Sequence, residues 1–335
     1  MHDSLPLGAS VQELSTVSLN AGGAVNAALY RSLQDLPDTI LFGEDVAIPG
    51  GVFGVTRGLA KRFGERVFDT PISETAMLGA AVGAAMMGRR PIVEIMWIDF
   101  AMVAFDQIVN QASNVRYISS GAVQAPLTIR TQQGNSPGAC AQHSQNLEAL
   151  LLHVPGIRVC MPRTPQDTYD LLRSAIACED PTVVIENRTL YAGAKESVLV
   201  DGPVQDIGGH RMRRTGEQLT IVTWGAITAK VLDAVDATDI GVDVIEAVWL
   251  NPFDTEAVLE SVRRTGRLLL VHEANVTAGF GAEVVTRVVE AGVSLHVPPR
   301  RLGLADMRIP SAPHLAGALL PQESDIAAAV MEMVA

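Results

Sequence analysis

Clustered basic charge, long apolar runs and paired cysteines are all scarce in this chain of 335 residues. Lys and Arg number 25 against 37 Asp and Glu, a net charge of −12. Binding to nucleic acid or to an acidic membrane surface draws on clustered Lys and Arg, so both classes are excluded. Only two short basic runs occur, 211–214 and 299–301, and both read as solvated surface or interface. The three cysteines, Cys140, Cys160 and Cys178, form no Cys-x-x-Cys pair. Their spacing suits neither a zinc site nor a disulfide framework, and reduced thiols in a cytoplasmic protein are expected. The chain does not open on a basic region followed by an apolar one, so no signal peptide is read. Its longest apolar run, 76–87, has 12 residues. A membrane span needs about 20, so this run is expected as a buried helix.

Apolar residues are plentiful, at 48% of the chain. Strand-like runs are expected at 39–43, 66–69, 91–95, 126–130, 157–161 and 181–186. Helical patterns lie between them at 75–87, 100–117, 144–153 and 164–178. Near-continuous apolar strands separated by helices predict a parallel sheet covered on both faces. From 191 to 207 periodicity is lost among Gly193, Gly202 and Pro203, which marks a linker. A second series follows, with strands at 219–223, 242–248 and 267–272 and helices at 226–237, 255–264 and 281–291. The fold class is α/β: two successive domains with mostly parallel sheets flanked by helices. The division is an N-terminal tail 1–14, a first domain 15–195, a linker 196–206 and a second domain 207–335. Gly79 and Gly83 stand four apart on one helix face, where close packing against a neighbouring subunit is expected.

Chemistry concentrates where strands end. Leu41-Phe42-Gly43-Glu44-Asp45-Val46 is a strand closing on acids. Phe68-Asp69-Thr70-Pro71-Ile72-Ser73-Glu74-Thr75 places another carboxylate between a strand and a helix. Such junctions build sites at the carboxyl edge of an α/β sheet. Ala141-Gln142-His143-Ser144-Gln145 adds a group that titrates near neutrality. The other histidines lack metal-ligand spacing, and His272, at the end of a second-domain strand, is read as a group at an interface.

These segments resemble the β subunit of thiamine-diphosphate-dependent 2-oxo acid dehydrogenases, the E1 component. The likeness continues through Thr223-Trp224-Gly225-Ala226, Leu250-Asn251-Pro252-Phe253-Asp254 and Ala278-Gly279-Phe280-Gly281-Ala282-Glu283, and it weakens after about Leu302. It implies a transketolase-like pyrimidine-binding domain followed by a transketolase C-terminal domain. In this family a carboxyl group hydrogen-bonded to the aminopyrimidine activates thiamine diphosphate, and the motif maps that role onto Glu74. Glu44, Ile72, Met96 and Phe100 map around the pyrimidine. His143 maps onto the histidine of the substrate channel, which assists acyl transfer to lipoyl groups. Asp99 and the stretch 50–56 look nearer the acetoin dehydrogenase branch than the pyruvate or branched-chain branches. Leu127, Ala175, Ile176, Cys178 and Asp180 fall where some relatives bind potassium, largely through carbonyls. The family's Gly-Asp-Gly motif for Mg²⁺ and diphosphate is absent, so an α subunit is expected to hold that end in an α₂β₂ heterotetramer.

The implied activity is decarboxylation of a 2-oxo acid, or cleavage of acetoin, with transfer of the acyl unit to a lipoyl-bearing acyltransferase, E2. A carboligase of the same architecture is the alternative, with a non-catalytic assembly subunit as the third reading.

Overall fold

The computed structural model describes residues 15–135 and 138–335, so the tail 1–14 lies outside the described residues. The first domain is built on a seven-stranded sheet. Its strands run Trp249–Asn251, Arg158–Cys160, Thr182–Asn187, Thr128–Gln133, Arg90–Ile95, Thr39–Gly43 and Val67–Asp69. All neighbours pair in parallel except the first two. Alternate residues along each strand feed opposite cores, because strand side chains alternate between faces. Leu41, Ile92 and Val184 join a core with helices Ala21–Asp35 and Pro165–Ala177. Phe42, Val93 and Val183 join a core with helix Glu74–Met86. The parallel arrangement covered on both faces is therefore as the apolar runs predict.

The second domain has a five-stranded sheet in the order Arg300–Leu304, Leu268–Asn275, Leu219–Thr223, Val242–Glu246 and Arg211–Arg214. Only the last strand is antiparallel. Helices Thr228–Asp236 and Glu323–Val334 pack on one face. Helices Thr255–Thr265 and Phe280–Glu290 pack on the other, within the same core that holds helix Glu74–Met86. One apolar core thus runs across the domain seam, and the second domain also lends the strand Trp249–Asn251 to the first sheet.

Several elements depart from the expectations. Within the stretch read as a linker, Glu196–Leu199 forms a strand paired antiparallel with Thr16–Leu19. Gln166 fixes it by accepting from the Leu199 amide and donating to the Leu199 carbonyl. This ribbon leans on a helix rather than joining a layered sheet, so it leaves little alternation to read. The basic run 211–214 is an edge strand, not free surface. Arg211 and Arg213 reach Asp167 of the first domain at 2.8 and 2.6 Å, and Arg213 and Arg163 share Glu246. Burial raises the Asp167 carboxyl, but the guanidinia of Arg211 and Arg213 outweigh it and hold the group below its usual range. The helix expected over 100–117 breaks into 3₁₀ turns Ile98–Met102 and Ala112–Asn114, a π segment Gln107–Gln111 and a short α-helix Val115–Ile118. Ser113 and Asn114 side chains donate to the Val109 and Asn110 carbonyls and compete with the α-helical ladder. The helix expected over 144–153 shortens to Glu148–Leu152, because the Gln145 amide and side chain turn to Asp99 instead.

Candidate active site

Strands Thr39–Gly43 and Val67–Asp69 are parallel neighbours, so the residues that follow them emerge at one edge. Asp69 ties the two loops together: its carboxylate accepts from the Ala47 and Ile48 amides at 2.6 and 3.1 Å. The Thr70 amide donates back to Gly43 at 3.0 Å. Side-chain space is closed at Gly43, where a Cβ would stand 2.8 Å from the Glu94 carbonyl oxygen. Helix Glu74–Met86 then starts on Glu74, whose carboxylate lies on the positive end of the helix dipole and is 8% exposed.

Glu44 is half-buried beside it. Burial pushes the Glu44 carboxyl above its usual range, and the nearby charges of Glu74 and Asp45 push in the same direction. Glu44 is thereby held toward its protonated form beside Glu74, which places acids suited to acid–base chemistry on a ring nitrogen at this edge. Around them Ile72 is open, at 81% exposure, and Phe68 stacks on Phe42 with centroids 5.0 Å apart. The buried Thr70 hydroxyl has no partner among the described residues.

Three further strands end at the same edge: Arg90–Ile95, Thr128–Gln133 and Thr182–Asn187. The first delivers Met96, Trp97, Asp99 and Phe100. The loop after the second carries His143. The third delivers Arg188. His143 sits edge-on to Trp97 and Phe100, with centroids 4.8 and 5.5 Å away. Arg188 donates from Nη2 to the His143 carbonyl at 2.6 Å and lies over the Trp97 ring. Asp99 holds the next turn by accepting from Gln145 Nε2 at 2.9 Å. Buried polar atoms usually find partners. Here Trp97 Nε1, Asp99 Oδ2, Ser144 Oγ and two Arg188 nitrogens have none among the described residues. These unmatched groups, with a half-buried Phe100 face and the Glu44–Glu74 pair, fit a polar, flat-ringed ligand arriving from outside the chain.

Glu44, Ile72, Glu74, Met96, Phe100 and His143, singled out in the sequence, all lie at this edge, and Trp97 and Arg188, which were not, stand with them. No local signal marks Arg188, which directly follows the strand Thr182–Asn187.

The carbonyl set mapped to potassium lies at the opposite end of the sheet. Arg90 Nη1 donates to the Ile176, Ala177 and Cys178 carbonyls at 3.2 Å each. The Ala175 carbonyl accepts from the Cys178 amide, and that of Leu127 from Thr182. Asp180 pairs with Arg116 and Arg158 at 2.5 and 2.9 Å. His272 is fully buried, stacked on Trp224, whose indole donates to Glu148 of the first domain.

Comparison with known proteins gives this geometry a context. The family described as "Transketolase, pyrimidine binding domain" matches residues 18–193, and "Transketolase, C-terminal domain" matches 208–326. The solved structure titled "Split gene transketolase, inactive beta4 tetramer" superposes with a TM-score of 0.77 at 25% identity, covering 95% of this chain and 99% of that one. Fold and edge geometry together define a two-domain, transketolase-like polypeptide. The pyruvate dehydrogenase E1 component subunit beta of Staphylococcus aureus (strain Mu50) is 37% identical over 308 residues, 90% of this chain and 94% of the relative. The acetoin:2,6-dichlorophenolindophenol oxidoreductase subunit beta of Cupriavidus necator is 37% identical over 326 residues, 91% and 94% of the two chains. This chain belongs to the β-subunit family that contains these two relatives.

Proposed function

We propose that this chain is the β subunit of a cytoplasmic, heterotetrameric E1 enzyme that decarboxylates a 2-oxo acid, or cleaves acetoin, and passes the acyl group to the lipoyl domain of an acyltransferase. The observation that carries this reading is the Glu44–Glu74 acid pair on the same sheet edge as the boxed His143. Thiamine diphosphate supplies the electron sink when bound. Glu74 would hold the proton at the pyrimidine nitrogen, with Glu44 beside it. Ile72, Met96 and Phe100 offer the flat, partly apolar surface that a ring packs on. His143, half-buried, donates a proton as negative charge develops on the substrate oxygen or the lipoyl sulfur.

Mg²⁺ and the diphosphate are assigned to the α subunit. This rests on the missing Gly-Asp-Gly motif and on the lack, among the described residues, of any group of three or more His, Cys, Asp or Glu side chains arranged for a metal. A potassium ion at the 175–180 turn would use the second lone pairs of carbonyls that already accept from Arg90 or from amides. Thermal melting in potassium against sodium salts tests that site.

Copurification with its α chain, followed by dye-linked oxidation assays on pyruvate, acetoin and branched-chain 2-oxo acids, tests the main reading. Turnover of at least one is expected, and failure on all of them sinks it. The lone chain is expected to bind thiamine diphosphate weakly, with strong Mg²⁺-dependent binding after the α chain is added. Calorimetry separates the two outcomes.

A further inference from the structure

Two buried arginines of the first domain face different surroundings. Arg130 is 0% exposed and fully paired: Glu186 takes its Nε and Nη2 at 2.7 and 2.8 Å, and Glu94 takes Nη1 at 2.5 Å. Arg188 is 9% exposed, and no carboxylate lies within ion-pair distance of it among the described residues. Among the described residues its one hydrogen bond is to the His143 carbonyl, and Nε and Nη1 are buried without partners there. Asp99 is the acid whose charge reaches it, yet the Asp99 carboxylate is turned to Gln145. Burial lowers the affinity of Arg188 for its proton, and only the charge of Asp99 opposes that. A buried, unpaired cation is costly, so folds normally supply it with an anion, as this one does for Arg130.

We infer that Arg188 is a specificity-determining residue whose guanidinium receives the carboxylate of an anionic 2-oxo acid, favouring that class over a neutral acyloin such as acetoin. This deepens the proposed function and rests on it. The position agrees, because Arg188 touches the backbone of His143 and covers Trp97, which packs on that imidazole. The chemistry agrees too, since a planar guanidinium with free N–H groups matches a carboxylate in fork geometry. The sign of its kinetic effect also follows. Decarboxylation removes the negative charge, so a cation here stabilises bound substrate more than the transition state. Its contribution therefore falls on KM and not on kcat.

The test uses the assembled αβ enzyme and initial rates of dye reduction with pyruvate and with acetoin. Arg188→Gln is expected to raise KM for pyruvate relative to KM for acetoin about 10- to 100-fold, the usual scale for a lost charged hydrogen bond. Arg188→Lys is expected to recover part of the pyruvate KM, because the charge is kept and the fork is lost. Equal losses on both substrates would overturn the inference and leave Arg188 as an anchor for the His143 loop. A pyruvate KM at the wild-type value would overturn it as well. So would a wild-type enzyme that turns over acetoin and not pyruvate, although the proposed function would then still stand. Loss of turnover on every substrate tested with the wild type is a failure of the proposed function itself. Should Arg188→Gln fail to assemble, Arg188→Lys and inhibition by acetate read the same contact. Acetate, which offers a carboxylate alone, is expected to inhibit the wild type more strongly than Arg188→Lys. Equal inhibition would overturn the assignment.

Discussion

His143 and His272 both lie against tryptophan near the carboxyl ends of parallel strands, one in each domain. His143 stands edge-on to Trp97 on a loop and is half-buried. His272 lies inside strand Leu268–Asn275, flat against Trp224 with 13° between the rings, and is 0% exposed. Its Nδ1 faces the Ala274 carbonyl at 3.0 Å, and Nε2 has no partner among the described residues. Burial lowers its pKa to about 4, so it is neutral at pH 7 and carries no proton-transfer duty there. Residue type and aromatic neighbour are shared. Access decides the difference, because the edge holding His143 is left open with unmatched polar groups, while the equivalent edge of the second domain is sealed.

The same contrast holds for acids. Glu44 and Glu74 meet at the open edge, and Glu148 and Glu273 meet across the domain seam. Breaking the open pair is expected to have the largest effect in the molecule. Glu74→Gln keeps shape, and a first-turn glutamate contributes only about 0.3–1 kcal/mol through the helix dipole. The amide cannot share a proton with a ring nitrogen, so turnover in the αβ enzyme is expected to fall by about 10²–10⁴-fold. Thermal melting should change little. Wild-type turnover in Glu74→Gln would reduce Glu74 to a helix-start acid and move the role to Glu44.

The sealed side breaks differently. Gly281 and Gly303 press on the His272 ring. A Cβ would stand 2.9 Å from Nε2 at Gly281 and 2.8 Å from Cε1 at Gly303, where it would also meet the Ala274 carbonyl at 2.7 Å. With Trp224 behind it, the ring has little room to give. Gly303→Ala is expected to lower stability by roughly 1–3 kcal/mol through overpacking, with activity per folded molecule unchanged. A melting temperature equal to the wild type would show that the ring moves aside, and His272 would then be less fixed than its stacking implies.

Much of this contrast was legible in the sequence. The acids Glu44 and Glu74 point to an edge site only through the motifs around them, since a lone acid in a first helical turn is ordinarily explained by the helix dipole. The layered sheets follow from apolar runs that are buried on both faces. The seam was not legible. Arg211 and Arg213 read as surface or interface with no partner named, because nothing local signals that Asp167 and Glu246, 44 and 33 residues away, will pair with them. Trp249–Asn251 read as following a second-domain strand, yet it pairs with Arg158–Cys160 of the first sheet. Arg188 escaped notice because its meaning lies in partners it lacks, and absence of pairing is a property of the fold.

The smallest expected effect concerns the sealed acids. Glu273 borders a cavity of about 420 Å³ at the seam and accepts from Asn187 Nδ2 at 3.2 Å. Glu148, which accepts from Trp224 Nε1 at 3.0 Å, brings a second carboxyl from the first domain. Burial, then the charge of Glu148, raise Glu273 from 4.5 to about 7, while Lys230 pulls the other way. Between those two values the unfolded chain has released this proton and the folded chain keeps it. Stability contributed here is therefore full below about pH 4.5, falls as pH rises to about 7, and is level above. The full shift corresponds to about 3 kcal/mol, and the partial exposure of Glu273 reduces that to about 1–2. Glu273→Gln cannot ionise and is expected to flatten the fall in melting temperature between pH 5 and 7.5, leaving kcat at pH 7 alone. An unchanged pH slope would mean that Glu273 is ionised in the folded protein. Glu74→Gln should instead remove turnover. At each place burial, then a neighbouring carboxylate, raises one acid, Glu44 or Glu273, and favours its keeping a proton. At the open edge that proton is available to a bound ring, and in the seam it can only lower stability as pH rises.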